Sequence, residues 1–162
     1  MFKHPVDLVA LFIPLLIGFS TGNICDMPDS DHIKIRPPGW VFGVVWSIMY
    51  TIMGILLISV MGRVGAAGRA PILVLSLFAA HAIHVFMWPT LFSCMKKPKA
   101  ALYVLFGSII TALMVWSYML LSAAKIGGDG IDMYLPIIMV PYISWLCFAF
   151  VLNALYVEKS IK

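Results

Sequence analysis

The sequence predicts an all-α integral membrane protein: one domain, built as a five-transmembrane-helix bundle. Three observations carry that reading. Hydrophobic residues make up 62% of the 162 positions and charged residues only 11%, whereas a soluble domain carries about 25% charged residues. No Asp, Glu, Lys or Arg occurs in 41–62, 70–95, 100–124 or 133–157, and each of these runs exceeds the roughly 20 residues a helix needs to cross hydrocarbon. Membrane barrels, the other spanning solution, would show alternating segments of about ten residues, and the sequence has none.

Helix 1 is expected over 6–21. Its charge-free run, 8–25, is shorter than the others and is interrupted by Pro14. Lys3 and His4 precede it as they would precede a signal peptide. No small-x-small cleavage site follows, and Asn23, Cys25 and Asp26 come next, so the segment reads as a retained helix.

The connection 22–39 is long for neighbouring helices. It carries Asp26, Asp29, Asp31, His32, Lys34 and Arg36, and reads either as a lid folded over the bundle end or as a surface loop. Pro37, Pro38 and Gly39 close it and start helix 2, expected over 41–61. Trp40, beside the loop, suits an interfacial belt. Phe42, Trp46, Tyr50 and Met53 form an aromatic ridge one to several turns deeper. Gly39, Gly43, Ser47 and Thr51 form a small-residue strip where another backbone can come close. Packing within the bundle is the economical reading of that strip, and a second subunit is the alternative.

Helix 3 is expected over 70–92, with His81, His84, Val85 and Trp88 on one face. A histidine in a membrane segment usually faces the bundle interior or a cavity. These two are read as bonded to a neighbouring helix, with ligand contact as the alternative. Lys96, Lys97 and Lys99 then mark a short solvated loop, or a contact to anionic lipid. Helix 4 is expected over 100–124 and helix 5 over 134–157. On helix 5 Tyr142, Trp145, Ala149, Leu152, Asn153 and Tyr156 share a face at 3.6 residues per turn. An unpaired amide in hydrocarbon costs several kcal/mol, so that face turns inward. Aromatic positions on these faces serve either a ligand pocket or packing alone.

Cys25, Cys94 and Cys147 are odd in number and widely spaced. No disulfide framework or metal signature follows, and all three read as small apolar side chains. With alternating helices, Lys3, Arg63, Arg69 and Lys125 lie on one side. Lys34, Arg36, Lys96, Lys97, Lys99, Lys159 and Lys162 lie on the other. The positive-inside rule then expects a cytosolic C-terminus. The segments hold no carboxylate pair, metal-ligand spacing or phosphate loop, so a binding protein is expected rather than a conventional enzyme.

Several of these residues also carry a resemblance. Pro37-Pro38-Gly39-Trp40-Val41-Phe42, followed by Trp46, Tyr50 and Met53-Gly54, is similar to the second-helix signature of the translocator protein family. The same family is known as tryptophan-rich sensory proteins or peripheral-type benzodiazepine receptors. Trp88-Pro89 with Leu91-Phe92 resembles its third-helix end. Pro141-Tyr142, Trp145, Ala149 and Leu152-Asn153 resemble its fifth-helix signature. The order and spacing agree over nearly the whole chain.

The resemblance implies a five-helix bundle, often a homodimer, in membrane lipid. It implies a cavity that takes porphyrins such as protoporphyrin IX or haem, or cholesterol, with links to tetrapyrrole or sterol handling and stress responses. It also implies a mitochondrial outer membrane in a eukaryote or a cell envelope membrane in a bacterium. Ligand contact is expected from Trp46, Tyr50, His84, Trp88, Tyr142, Trp145 and Asn153. No cofactor is required, with porphyrin or haem as ligand, and no nucleic-acid partner is expected.

Two positions depart from the family. Val85 stands where an Asn is usual, and Gly39 where an Arg is usual, with Arg36 or Lys34 as substitutes. His81 and His84 are weak candidates for haem iron. Leu152, Tyr156 and Lys159 match a weak sterol pattern, which an ordinary helix end with a snorkelling lysine explains equally. The rival functions are light-dependent porphyrin breakdown, which needs no acid–base pair, and a small secondary transporter, for which helices 2 to 5 supply no buried carboxylate.

Overall fold

The computed structural model describes residues 5–26, 28, 30, 33–64, 69–126 and 134–161. They form five helices: α1 (Pro5–Ile24), α2 (Gly39–Val64), α3 (Arg69–Pro89), α4 (Pro98–Ile126) and α5 (Leu135–Ile161). No strand occurs among the described residues. The expected helices are all present: α1, α2 and α4 run a few residues beyond both expected ends, α5 runs on at its C-terminal end, and α3 stops at Pro89, three residues short of the expected end, where a π turn takes over. Four contain spans long and apolar enough to cross a membrane: Gly39–Met61, Ile72–Cys94, Pro98–Leu121 and Leu135–Lys159. The apolar stretch of α1, Asp7–Ser20, is shorter, although its 20 residues reach about 30 Å as a helix.

Side chains divide as a membrane bundle requires. Leu16, Ile72, Tyr103, Leu121 and Ile137 are each more than half exposed, which in water would be an association hazard and in lipid is the solvent-facing surface. Trp40, 71% exposed at the mouth of α2, sits where an interfacial tryptophan belongs. The interior holds Met53, Leu56, Val60, Val74, Leu105, Val115, Met139 and Leu146.

The helices pack in the ring order α1, α2, α5, α4, α3, with α2 and α3 touching across the middle. The extensive seams are α1 with α2, α3 with α4, and α4 with α5; α2 and α5 meet only briefly. The α1–α2 seam depends on missing side chains. At Gly54 an added Cβ would fall 2.8 Å from Leu11 Cα and closer still to its carbonyl oxygen. At Gly18 it would fall inside the Tyr50 ring.

The strip Gly39, Gly43, Ser47, Thr51 does not pack against another helix of the bundle at its two glycines, contrary to the economical reading. Nothing lies within 4 Å of a Cβ placed at Gly39 or Gly43. The Ser47 and Thr51 hydroxyls donate back to the carbonyls of Gly43 (2.7 Å) and Ser47 (2.9 Å). Four-residue spacing fixes a face of the helix without saying what occupies it, and here no neighbouring backbone does.

The end of α3 is irregular. Pro89 has no N–H to give, and the chain passes into a single π-helical turn, Thr90–Cys94. The Met95 N–H donates to the Thr90 carbonyl (3.0 Å) and the Lys97 N–H to the Leu91 carbonyl (2.9 Å). Lys96 takes the left-handed position (φ 51°) that ends a helix, and Pro98 opens α4 where a missing N–H costs nothing.

The cysteine reading is overturned at this end of the bundle. Cys25, one residue beyond α1, forms a disulfide with Cys94, the last residue of the π turn. The pair is 69 residues apart, and only the packing of α1 near α3 brings the two together. Cys147 is free and exposed.

Candidate functional site

Where α2 and α5 part, a cavity of about 350 Å³ opens in the half of the bundle nearest the disulfide, within the size range of small-molecule sites. Helix α2 supplies Phe42, Trp46 and Tyr50, with Gly39, Gly43 and Ser47 along the border. The end of α3 supplies Trp88, Pro89 and Phe92. Helix α5 supplies Ala149, Leu152, Asn153 and Tyr156. Gly18 and Phe19 of α1 and Ser30, Ile33 and Arg36 of the α1–α2 segment complete the wall.

The wall is a run of stacked rings. Phe86 lies on Tyr50 (centroids 5.6 Å), Tyr50 on Trp46 (5.5 Å), Trp46 on Trp88 (5.7 Å) and Trp88 on Phe92 (5.7 Å), all within 30° of parallel. Phe92 then meets Tyr156 edge-on at 5.1 Å. These separations suit offset and edge-to-face pairing, and they tie α2, α3 and α5 together by aromatic contact. The Arg36 guanidinium stands 5.8 Å from the Phe42 ring centre, a cation–π distance, and brings positive charge to a mouth that is otherwise apolar.

Two groups fix the wall. Asn153 is 2% exposed. With its amide turned so that both atoms are satisfied, it accepts from Trp88 Nε1–H (3.3 Å) and the Leu102 N–H (3.0 Å) and donates to the Pro98 carbonyl (3.3 Å). One side chain of α5 thus sets the Trp88 indole and grips the first turn of α4. Trp46 is held by stacking and core packing: its buried N–H has no hydrogen-bond partner among the described residues.

Of the residues expected at the ligand, Trp46, Tyr50, Trp88 and Asn153 line the cavity, and His84, Tyr142 and Trp145 stand outside it. Tyr142 is fully buried and donates its O–H to His81 Nε2 at 2.6 Å. His81 Nδ1–H in turn points at the Ser108 carbonyl (3.0 Å) and Thr111 Oγ1 (3.1 Å). That chain is a polar tie among α3, α4 and α5. His84 donates Nδ1–H to the Ala80 carbonyl of its own helix (2.7 Å) and lays its ring on Gly107 of α4. Neither imidazole lines the cavity. Trp145 packs between Phe42 (5.7 Å) and Phe148 (5.4 Å) and backs the wall through Phe42. Leu152 and Tyr156 of the sterol pattern line the cavity and Lys159 does not. Val85 is buried in the core.

Sequence reasoning passed over Phe92, Phe19, Ser30 and Ile33 as wall residues. Phe92 carried a signal, as the aromatic four residues after Trp88. The loop positions carried none.

Fold and site together define a multi-pass helical membrane protein with an aromatic-walled cavity between its helices. The sequence profile of the TspO/MBR family matches residues 8–157, and the chain belongs to that family. It is 26% identical over 145 residues to the tryptophan-rich protein TspO of Chlorobaculum tepidum, covering 86% of this chain and 85% of the relative. It is 26% identical over 121 residues to the translocator protein of Bos taurus, covering 73% of this chain and 64% of the relative. It is 27% identical over 119 residues to the tryptophan-rich sensory protein of Cereibacter sphaeroides, covering 73% and 66%.

Proposed function

We propose that this protein is a membrane receptor or carrier for a flat, mostly apolar guest, a porphyrin before a sterol. The observation that carries the reading is the ring run from Tyr50 through Trp46 and Trp88 to Phe92 along a cavity wall. The rings stack on one another and so turn their edges to the cavity, and a flat apolar guest laid along that wall gains edge-to-face contact with several of them at once. Arg36 at the mouth suits a carboxylate on the guest's edge. The Trp46 N–H has no acceptor among the described residues, and an acceptor on the guest would offset its desolvation, worth about 1–3 kcal/mol.

The test is a titration of purified protein with protoporphyrin IX and, separately, cholesterol, followed by tryptophan quenching. Trp46→Ala is expected to weaken porphyrin binding by about 1–3 kcal/mol, as loss of a large buried aromatic anchor does. Tyr142→Phe, outside the cavity, leaves the affinity unchanged. Equal affinity of Trp46→Ala and wild type, with both folded, rejects the site.

A second reading, light-driven breakdown of the bound porphyrin, is favoured by one feature: two indoles, Trp46 and Trp88, stacked on each other in the wall. Illumination of the complex is expected to bleach the Soret band faster in wild type than in Trp88→Phe. Equal bleaching leaves binding alone.

A further inference from the structure

We infer that the Cys25–Cys94 disulfide is a redox latch that holds the α1–α2 segment against the cavity mouth. Three described residues of that segment, Ser30, Ile33 and Arg36, form part of the cavity wall. Ser30 and Ile33 are buried although they belong to no helix. The local bonds of the segment, Ile33 N–H to the Ser30 carbonyl and Arg36 N–H to the Ile33 carbonyl (both 3.0 Å), shape it without attaching it. Two bonds join the start of the segment to the α3 end: the disulfide and an exposed bond from Lys96 Nζ to the Asp26 carbonyl (3.0 Å). A solvent-exposed bond of the latter kind contributes little. The covalent bridge is the stronger of these two, and it lands two residues from Phe92 of the wall.

The charge pattern argues for a switch over a permanent staple. Lys34, Arg36, Lys96, Lys97 and Lys99 sit at the same end as the bridge. The positive-inside rule assigns that end to the cytosol, where small thiols keep cysteines reduced and surviving disulfides are usually transient and redox-sensing. Both cysteines are half-buried, within reach of a small thiol. Reduction is ordinary exchange. A thiolate of a glutathione-type reductant attacks one sulfur, the S–S bond breaks, and the other cysteine leaves as thiolate and takes a proton. A second thiol resolves the mixed disulfide. The protein gains two electrons and two protons as two thiols, and the reductant leaves as its own disulfide. Cys25 then no longer holds the segment to Cys94, and the mouth opens.

The consequence for a guest rests on the proposed function; the opening itself does not, so two readouts are used on the full chain in nanodiscs. In the first, hydrogen exchange of the peptide 33–38 is measured before and after dithiothreitol. Exchange is expected to quicken about ten-fold on reduction, since a tethered segment opens far less often than a free one. The Cys25→Ser/Cys94→Ser double variant exchanges at the reduced rate from the start and ignores reductant. Denatured, unreduced protein is expected to label at one thiol, Cys147, and reduced protein at three. Exchange indifferent to reduction, or three thiols before it, overturns the latch whatever the ligand. In the second readout, protoporphyrin IX dissociation quickens in the reduced protein. Failure of porphyrin to bind either form rejects the proposed function and leaves the exchange experiment to decide the latch.

Discussion

Gly54→Val is expected to unseat α1 from the bundle. The Gly54 site has no room for even one carbon: a Cβ there meets the backbone of Leu11, with Cα at 2.8 Å and the carbonyl carbon at 2.9 Å. Backbone cannot rotate away as a side-chain tip can, so the whole of α1 must shift. Overpacking a fitted site typically costs about 1–3 kcal/mol, and a clash between two helix backbones belongs at or above the upper figure. Small residues at such crossings are what let membrane helices associate, because lipid supplies no hydrophobic drive between them. The effect reaches the cavity, since Gly18 and Phe19 on the same helix form part of its wall. A lowered unfolding temperature in detergent, together with weakened porphyrin binding, is the expected pair of results. An unchanged melting curve would refute the close approach.

Asn153→Leu has the second large effect. Leucine matches the shape and removes the chemistry. Trp88 Nε1–H, the Leu102 N–H and the Pro98 carbonyl each lose the partner that Asn153 supplies. A buried polar group left without a partner costs about 1–3 kcal/mol, and no water lies in the bilayer core to take the place of the amide. Trp88 also loses the bond that sets its indole, and with it the alignment of Trp46 and Phe92 on its two faces. The variant is expected to melt earlier and to bind porphyrin more weakly than wild type. Asn153→Asp does not rescue it, because the Pro98 carbonyl loses its donor and a carboxylate is buried. Wild-type stability in Asn153→Leu would mean that the three-way bridge is not formed.

The five helices were legible because a charged side chain is costly in hydrocarbon, which leaves long charge-free runs in plain view. Part of the cavity wall was legible for a related reason: Trp46, Tyr50, Trp88 and Asn153 are polar-tipped groups where lipid rewards none. Periodicity gives the face of a helix but not the depth along it. Tyr142 and Asn153 share a face of α5, yet eleven residues put them roughly 16 Å apart along the axis. One reaches His81 while the other reaches Trp88. His84 escaped for a different reason. Its ring is accommodated by Gly107 on α4, a complementarity between two helices that neither shows alone. The cysteine pair was hidden most completely. Its partners lie 69 residues apart, and only the return of α3 beside α1 makes them neighbours.

That bridge has a practical corollary. Residues 26–93, which include the whole of α2 and α3, lie within a covalent loop closed by sulfur. A protease that cuts once inside the loop produces two fragments that still travel as one molecule. On a denaturing gel without reductant the nicked chain runs as a single band near its full mass, and with reductant it falls into two. Digestion followed only on non-reducing gels would score a cleaved protein as intact.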